Sequence, residues 1–304
     1  MADSDSKRHH WWPECISRRW AGDDRCVARY RSDGTTLRLR PNGLGVIGNG
    51  HYIKLGKEPG EVTPFDQNFE HIFNDADDGT PAVIDFLEGL NFEERFGSGT
   101  RDRFLPCDIS DVLFERLVEA LVGLAVRSPM TREAAVRLAE SLRGPLPTRE
   151  RNALITMNLR DMHKNAFRSL RGRGKVAVIL SPGRELIFGD GFYHNLNSSF
   201  GPPSSARILA PITPRIAVLY AVPRSYRPLP RASTIVVDAQ EASMLNEVIQ
   251  IYSRECIFFR SEMPAIRDDF ALNSHRKFAS IRNPIEDMVH DMPGVPPYDD
   301  SLDW

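Results

Sequence analysis

Two adjacent imidazoles, His9 and His10, stand near the start of the chain inside His9-His10-Trp11-Trp12-Pro13. A neutral imidazole can ligate a metal or move a proton near neutral pH. Neighbours on a strand point to opposite faces, so at most one of the pair joins a given site. The competing reading is a segment pinned by the packing of Trp11, Trp12 and Trp20. Glu70 and Asp77 are seven residues apart on a predicted helix, close to two turns, which sets both carboxylates on one face about 10 Å apart. With Asp190 they form a candidate ligand set for Mg2+ or Mn2+, which take a few carboxylates plus water. The same stretch also reads as a plain acidic face, because Asp66, Asp75 and Asp78 lie nearby.

Asp190 sits in Gly189-Asp190-Gly191 at the end of a predicted strand. Two glycines leave its carboxylate uncrowded, and functional residues favour such corners. Tyr193, His194 and Asn195 follow it with further donors and acceptors. An ordinary hairpin turn is the alternative there. Arg127 closes a very apolar helix, where a guanidinium complements the helix dipole and could clamp a carboxylate or a phosphate. Arg160, Lys164, Arg168 and Arg171 share one face of a later helix, beside His163, Arg173 and Lys175. That is an electrostatic footprint for a phosphate backbone, with a solvated helix face as the default. Walker, Rossmann, His-Glu-x-x-His and Gly-x-Ser-x-Gly patterns are absent, so nucleotide-driven, zinc-protease and esterase chemistry lose their usual support.

The elements that must position these groups follow from periodicity. Residues 26–39 predict a hairpin turning at Asp33-Gly34. Thr63-Pro64 and Thr80-Pro81 each read as a cap followed by proline at a first helical position. Between them Phe65, Phe69, Ile72, Phe73 and Ala76 recur at helical spacing. A broadly apolar helix is predicted from about Ser110 to Val126, with Leu113, Leu117, Leu121 and Leu124 on one face. Thr131 then caps a helix that stops at Gly144, and another runs from about Arg149 to Leu170. Segments 176–180, 185–188, 208–210 and 216–220 read as strands, the first two joined by a turn at Ser181-Pro182-Gly183-Arg184. Asp238 and Glu241 resemble a capping box before a helix striped by Leu245, Val248, Ile249 and Tyr252. Residues 256–259 give a last strand, and the chain beyond about Met263 predicts an extended, partly disordered tail. The expected fold class is therefore α/β (α+β). It has an N-terminal β-hairpin, a central helical bundle and a C-terminal, mostly antiparallel sheet with one covering helix. Residues 7–260 form one domain and 261–304 a C-terminal extension.

Several landmarks in this order resemble the domain-of-unknown-function 4238 family. They are His9-His10-Trp11-Trp12-Pro13, Gly45-Val46 with Tyr52, Glu70 and Asp77, Arg127-Ser128-Pro129, the 188–192 strand end, Pro211-Ile212-Thr213-Pro214, and Asn246. The likeness covers about residues 7–260. There are departures: only the aspartate of a Ser-Asp-Asn-Pro motif remains, at Asp190, while Glu14 replaces a usual glutamine and Asp77 a usual glutamate. The chain thus resembles a divergent member. The family has no settled biochemical function; its genes often look like accessory or phage-defence cargo.

Composition sets the outer limits. The chain has 304 residues, 41% of them apolar, and a formal net charge of −2. It can bury a sizeable core and is not a globally basic nucleic-acid binder. Cys15, Cys26, Cys107 and Cys256 are scattered, which predicts free thiols in a reducing cytoplasm rather than a disulfide or zinc framework. No apolar run approaches a membrane span and no signal peptide is evident.

The expectation is a divergent metal-assisted nuclease or phosphodiesterase-like hydrolase. His9 or His10, Glu70 and Asp190 supply the base or ligands, with Asp77 also a metal ligand. Arg127, Lys164, Arg168 and Asn246 hold the substrate. The alternative is a non-catalytic module that binds a protein or nucleic acid, with the same residues acting as buried polar struts.

Overall fold

The computed structural model describes residues 8–48, 52–53, 67–68, 70–95, 99–196, 205–272 and 283–296. In chain order the strands are β1 (Arg8–His10), β2 (Val27–Arg31), β3 (Thr36–Leu39), β4 (Val46–Gly48), β5 (Tyr52–Ile53), β6 (Gln67–Asn68), β7 (Leu105–Cys107), β8 (Lys175–Leu180), β9 (Phe188–Gly189), β10 (Arg207–Pro211), β11 (Ile216–Ala221), β12 (Ala232–Val236) and β13 (Cys256–Phe259). The helices are α1 (Glu14–Ser17), α2 (Asn74–Glu88), α3 (Thr100–Arg103), α4 (Asp111–Arg127), α5 (Pro129–Arg143), α6 (Thr148–Leu170), α7 (Ala239–Tyr252), α8 (Asp268–Ala271) and α9 (Pro284–Asp291).

One sheet has five strands in the order β10-β11-β8-β12-β7. All its pairings are antiparallel except β8 with β12, which run parallel. Every residue of β10, β11 and β12 is buried. A strand covered on both faces needs no polar alternation, which is why 208–210 and 216–220 read as apolar runs, while β12, with Ser233 and Thr234 buried in it, does not read as a strand. The second sheet runs β3-β2-β13-β9. The predicted N-terminal hairpin thus forms, with Gly34 at φ 87° in its turn, and β13 from the far end of the chain lies against it. The mixed α/β architecture holds.

Helix starts follow local chemistry. Ser110 caps α4 by accepting the Leu113 amide, and Asp238 with Glu241 closes the expected capping box on α7. Ser128, not Thr131, caps α5, because Pro129 already takes the first helical position. α4 is buried along most of its length and packs against α2, α5 and α6.

Several expectations are corrected. Thr80-Pro81 does not open a helix. Both lie inside α2, where Thr80 Oγ1 donates to Ala76 O at 2.6 Å. The helix predicted across 65–76 begins only at Asn74, after strand β6 and a short 3-10 turn at Glu70–Phe73. Thr63-Pro64 lies outside the described residues. The turn at Ser181–Arg184 does not make a hairpin: β8 is already flanked by β11 and β12, so the chain crosses to the other sheet to form β9. Nor is the segment beyond Met263 simply extended. It carries α8 and α9, and Ile285, Met288, Val289, Met292 and Val295 join the core. Among the described residues no helix is long and apolar enough to cross a membrane, and the four cysteines are unpaired.

Candidate functional site

The last residue of α4 is the hub. Arg127 is 2% exposed. Its Nε donates to Gly123 O at 3.1 Å, Nη1 to Asp77 Oδ2 at 2.9 Å, and Nη2 to Asp77 Oδ1 at 2.6 Å. Nη1 also reaches the carbonyl of His10 at 3.4 Å. The guanidinium lies over the Phe73 ring, 4.7 Å from its centroid. The imidazole of His163 meets the same ring edge-to-face, with centroids 4.7 Å apart. One side chain therefore draws together β1, the turn before α2, α2 itself and, through Phe73, α6. A planar fork with five donors suits that task; a lysine could not hold a bidentate carboxylate and two carbonyls at once.

Glu70 borders this cluster and feels both Arg127 and Asp77. Burial pushes its carboxyl up to about 7, Arg127 opposes the rise and Asp77 adds to it. His163 is driven the other way. Burial lowers it to about 4, the nearby Arg127 charge adds to the fall, and the imidazole is neutral at pH 7. Its Nε2 is buried without a hydrogen-bond partner among the described residues, as is His10 Nδ1. Arg127 and Asp77 thus act on both a carboxyl that burial pushes up and an imidazole that burial pushes down, and perturbed groups of this kind are candidates for acid–base work. Cys15 is also near, its thiol raised by burial and by Asp77.

Glu70 supplies a direct check. A carboxyl raised in the folded state stabilises the protein fully below its ordinary titration range, and that contribution fades as pH rises through about 7. Stability measured from pH 5 to 8 is expected to decline more steeply in the native chain than in Glu70→Gln. Parallel curves would show that Glu70 does not titrate there.

The other candidates lie elsewhere or are engaged. Asp190 is 4% exposed, and its oxygens accept the Arg254 and Glu255 amides at 2.8 Å each. Burial raises it to about 6. The carboxylate is spent on fixing the turn from α7 into β13, so the expected base or metal ligand is replaced by a backbone clamp. Asp190→Ala should lower unfolding free energy by about 2–3 kcal/mol, the scale of lost charge-assisted bonds, measured by denaturant unfolding; an unchanged midpoint would remove the clamp from the account. Asn246 is likewise committed, accepting the Ile187 amide at 3.0 Å and donating to Glu185 O at 2.9 Å, not to a substrate. His194 Nε2 meets Thr131 Oγ1 at 3.2 Å, and Tyr193 donates to Glu286 at 2.9 Å.

The basic stripe is broken as well. Arg160 pairs with Asp161, Arg171 with Glu115, and Lys175 is buried with Nζ on Pro230 O. Lys164 and Arg168 remain exposed on α6. The side chain of His9 lies outside the described residues. Among those residues no three His, Cys, Asp or Glu side chains are gathered closely enough to hold a metal ion. The expected set of Glu70, Asp77 and Asp190 is not assembled: Asp77 is bonded to Arg127 and Asp190 to amides.

His163 was the member that sequence reading placed wrongly, among the cations of α6. A usable signal existed: Ile155, Leu159, Ala166 and Leu170 are the buried stripe of that helix, and 163 falls on it.

The fold and site together define a mixed α/β protein with an arginine-centred acid–imidazole cluster at the junction of its N-terminal strand and helical layer. No family model, no curated protein and no solved structure matches the chain.

Proposed function

We propose that the protein is a hydrolase of phosphodiesters, with nucleic acid as the substrate class and Glu70 as general base. The observation that carries this reading is that Arg127, bonded to the Asp77 carboxylate and the His10 carbonyl, also acts by its charge on Glu70 and His163, all drawn from remote stretches of chain. In the step envisaged, Glu70 takes a proton from water as the water oxygen bonds to phosphorus and the P–O ester bond breaks; solvent protonates the leaving oxygen. A base titrating near the working pH is well matched to such a transfer. Neutral His163 offers Nε2 to hold the water, and Lys164 and Arg168 form a cationic rim for an anionic substrate. Mg2+ or Mn2+ carried by the substrate phosphates would neutralise developing charge. His10, Glu70, Asp77 and Arg127 are also among the landmarks that carry the resemblance to the domain-of-unknown-function 4238 family, and membership of that family, like a role in phage defence, belongs to the same proposal.

The test is cleavage of a panel of DNA and RNA with Mg2+ or Mn2+. Activity should rise as pH passes about 7 and fall at least about a hundredfold in Glu70→Gln, the scale of a lost general base. Cleavage that is unchanged in Glu70→Gln, or absent on every substrate, rejects the reading.

One observation favours the alternative of a non-catalytic binding module: the guanidinium of Arg127 is buried and makes four hydrogen bonds inside the protein. In that case the cluster is a strut tying the N-terminal strand to the helices. Pull-down on immobilised DNA or RNA without cleavage would select it.

A further inference from the structure

A cleft of about 560 Å3 opens at the carboxyl ends of β8 and β12, the parallel pair of the five-stranded sheet. Loops leaving adjacent parallel strands splay apart there, which is why α/β sheets bind ligands at that edge. Here the walls are Pro182 and Gly183 after β8, Asp238 and Ala239 after β12, and Thr100 and Arg103 of α3. An annex of about 160 Å3 shares Thr100, Arg103, Val237 and Glu241 with the cleft, and Met244, Leu245 and Met288 face it together with a further acid, Asp287. Methionine side chains adapt to the shape of an apolar guest. The site shares no residue with the Arg127 cluster and rests on no part of the hydrolase reading.

Charge chooses the guest. Glu94, Asp238 and Glu241 line the cleft against Arg95 and Arg103, three acids to two bases. Arg103 is already taken: Nη1 donates to Glu241 Oε2 at 3.0 Å, and Nη2 to Oε1. Arg95 turns to Glu93 at 3.3 Å. At the start of α7, Asp238 accepts the Gln240 and Glu241 amides, both on Oδ1 at 2.8 Å. Those bonds satisfy the helix terminus with a carboxylate, so a bound anion would meet repulsion. Asp238 is exposed and its Oδ2 has no hydrogen bond among the described residues.

We propose that this cleft binds a small amphiphilic cation, a protonated amine held by Asp238 and Glu94 with its apolar tail among Met244, Leu245 and Met288. The probes are hexylamine, hexanol and hexanoate, compared on the full chain by saturation-transfer NMR. Hexylamine should bind best and hexanoate not at all. Asp238→Asn keeps an equally good helix cap while removing the charge, and should weaken hexylamine binding about three- to fivefold, the order of one exposed ion pair. Met288→Trp, which fills the annex from α9, should abolish it. No hexylamine binding, equal binding of hexanoate, or full affinity in both variants overturns the proposal.

Discussion

Replacing Trp12 by Ala is expected to lower the stability of the fold by about 3–5 kcal/mol, the usual loss for a large buried aromatic. Trp12 is 0% exposed. Its ring stacks on Phe188 with centroids 4.5 Å apart and planes within 5°, and meets Phe258 at 4.9 Å and the edge of Trp20 at 6.1 Å. Those partners come from β9, β13 and the short turn after α1, so the indole fills the space between the N-terminal segment and the four-stranded sheet. Its Nε1 has no hydrogen-bond partner among the described residues. The ring therefore acts through packing alone, and Trp12→Phe should recover a large part of the loss. Guanidinium unfolding followed by circular dichroism measures both. A Trp12→Ala midpoint equal to that of the native chain would mean the aromatic cluster does not hold the N-terminal segment.

Arg127→Met should cost about 3 kcal/mol, toward the low end for breaking a buried charge pair. The loss comes less from the missing attraction than from what is left behind: Asp77 without its countercharge, and the Gly123 and His10 carbonyls without a donor. Asp77 is 40% exposed, so water can recover some of its solvation. That asymmetry makes a second, sharper expectation. Asp77→Leu alone leaves a guanidinium that is 2% exposed with no carboxylate, whereas Arg127→Met with Asp77→Leu removes both charges. The double variant should be more stable than the Asp77→Leu single variant, as buried pairs replaced by apolar groups commonly are. Strictly additive losses, read from the four unfolding midpoints, would show that the pair is not coupled.

Much of the architecture was written in local chemistry. Ser110, Asp238 with Glu241, and Gly144 mark helix ends by hydrogen bonds or backbone angles that involve only a few neighbouring residues. Asp33-Gly34 and the unbroken apolar runs of β8, β10 and β11 fix a hairpin and buried strands in the same way. Local rules misread Pro81, because α2 is held by its packing against α4 strongly enough to carry a proline in its interior. They could not pair β13 with β2, since that contact joins opposite ends of the chain and depends on which sheet edge is left open.

The candidate site divides along the same line. Residue types and spacing determined that Glu70, Asp77, Arg127 and Asp190 were polar groups set against apolar elements. Only the tertiary structure decided that Asp77 bonds Arg127, that the charge of Arg127 reaches Glu70 and His163, and that Asp190 spends its oxygens on two amides. The physical reason is that a charged side chain reports its need for a partner in its chemistry, while the partner's identity depends on the approach of segments that share no sequence neighbourhood.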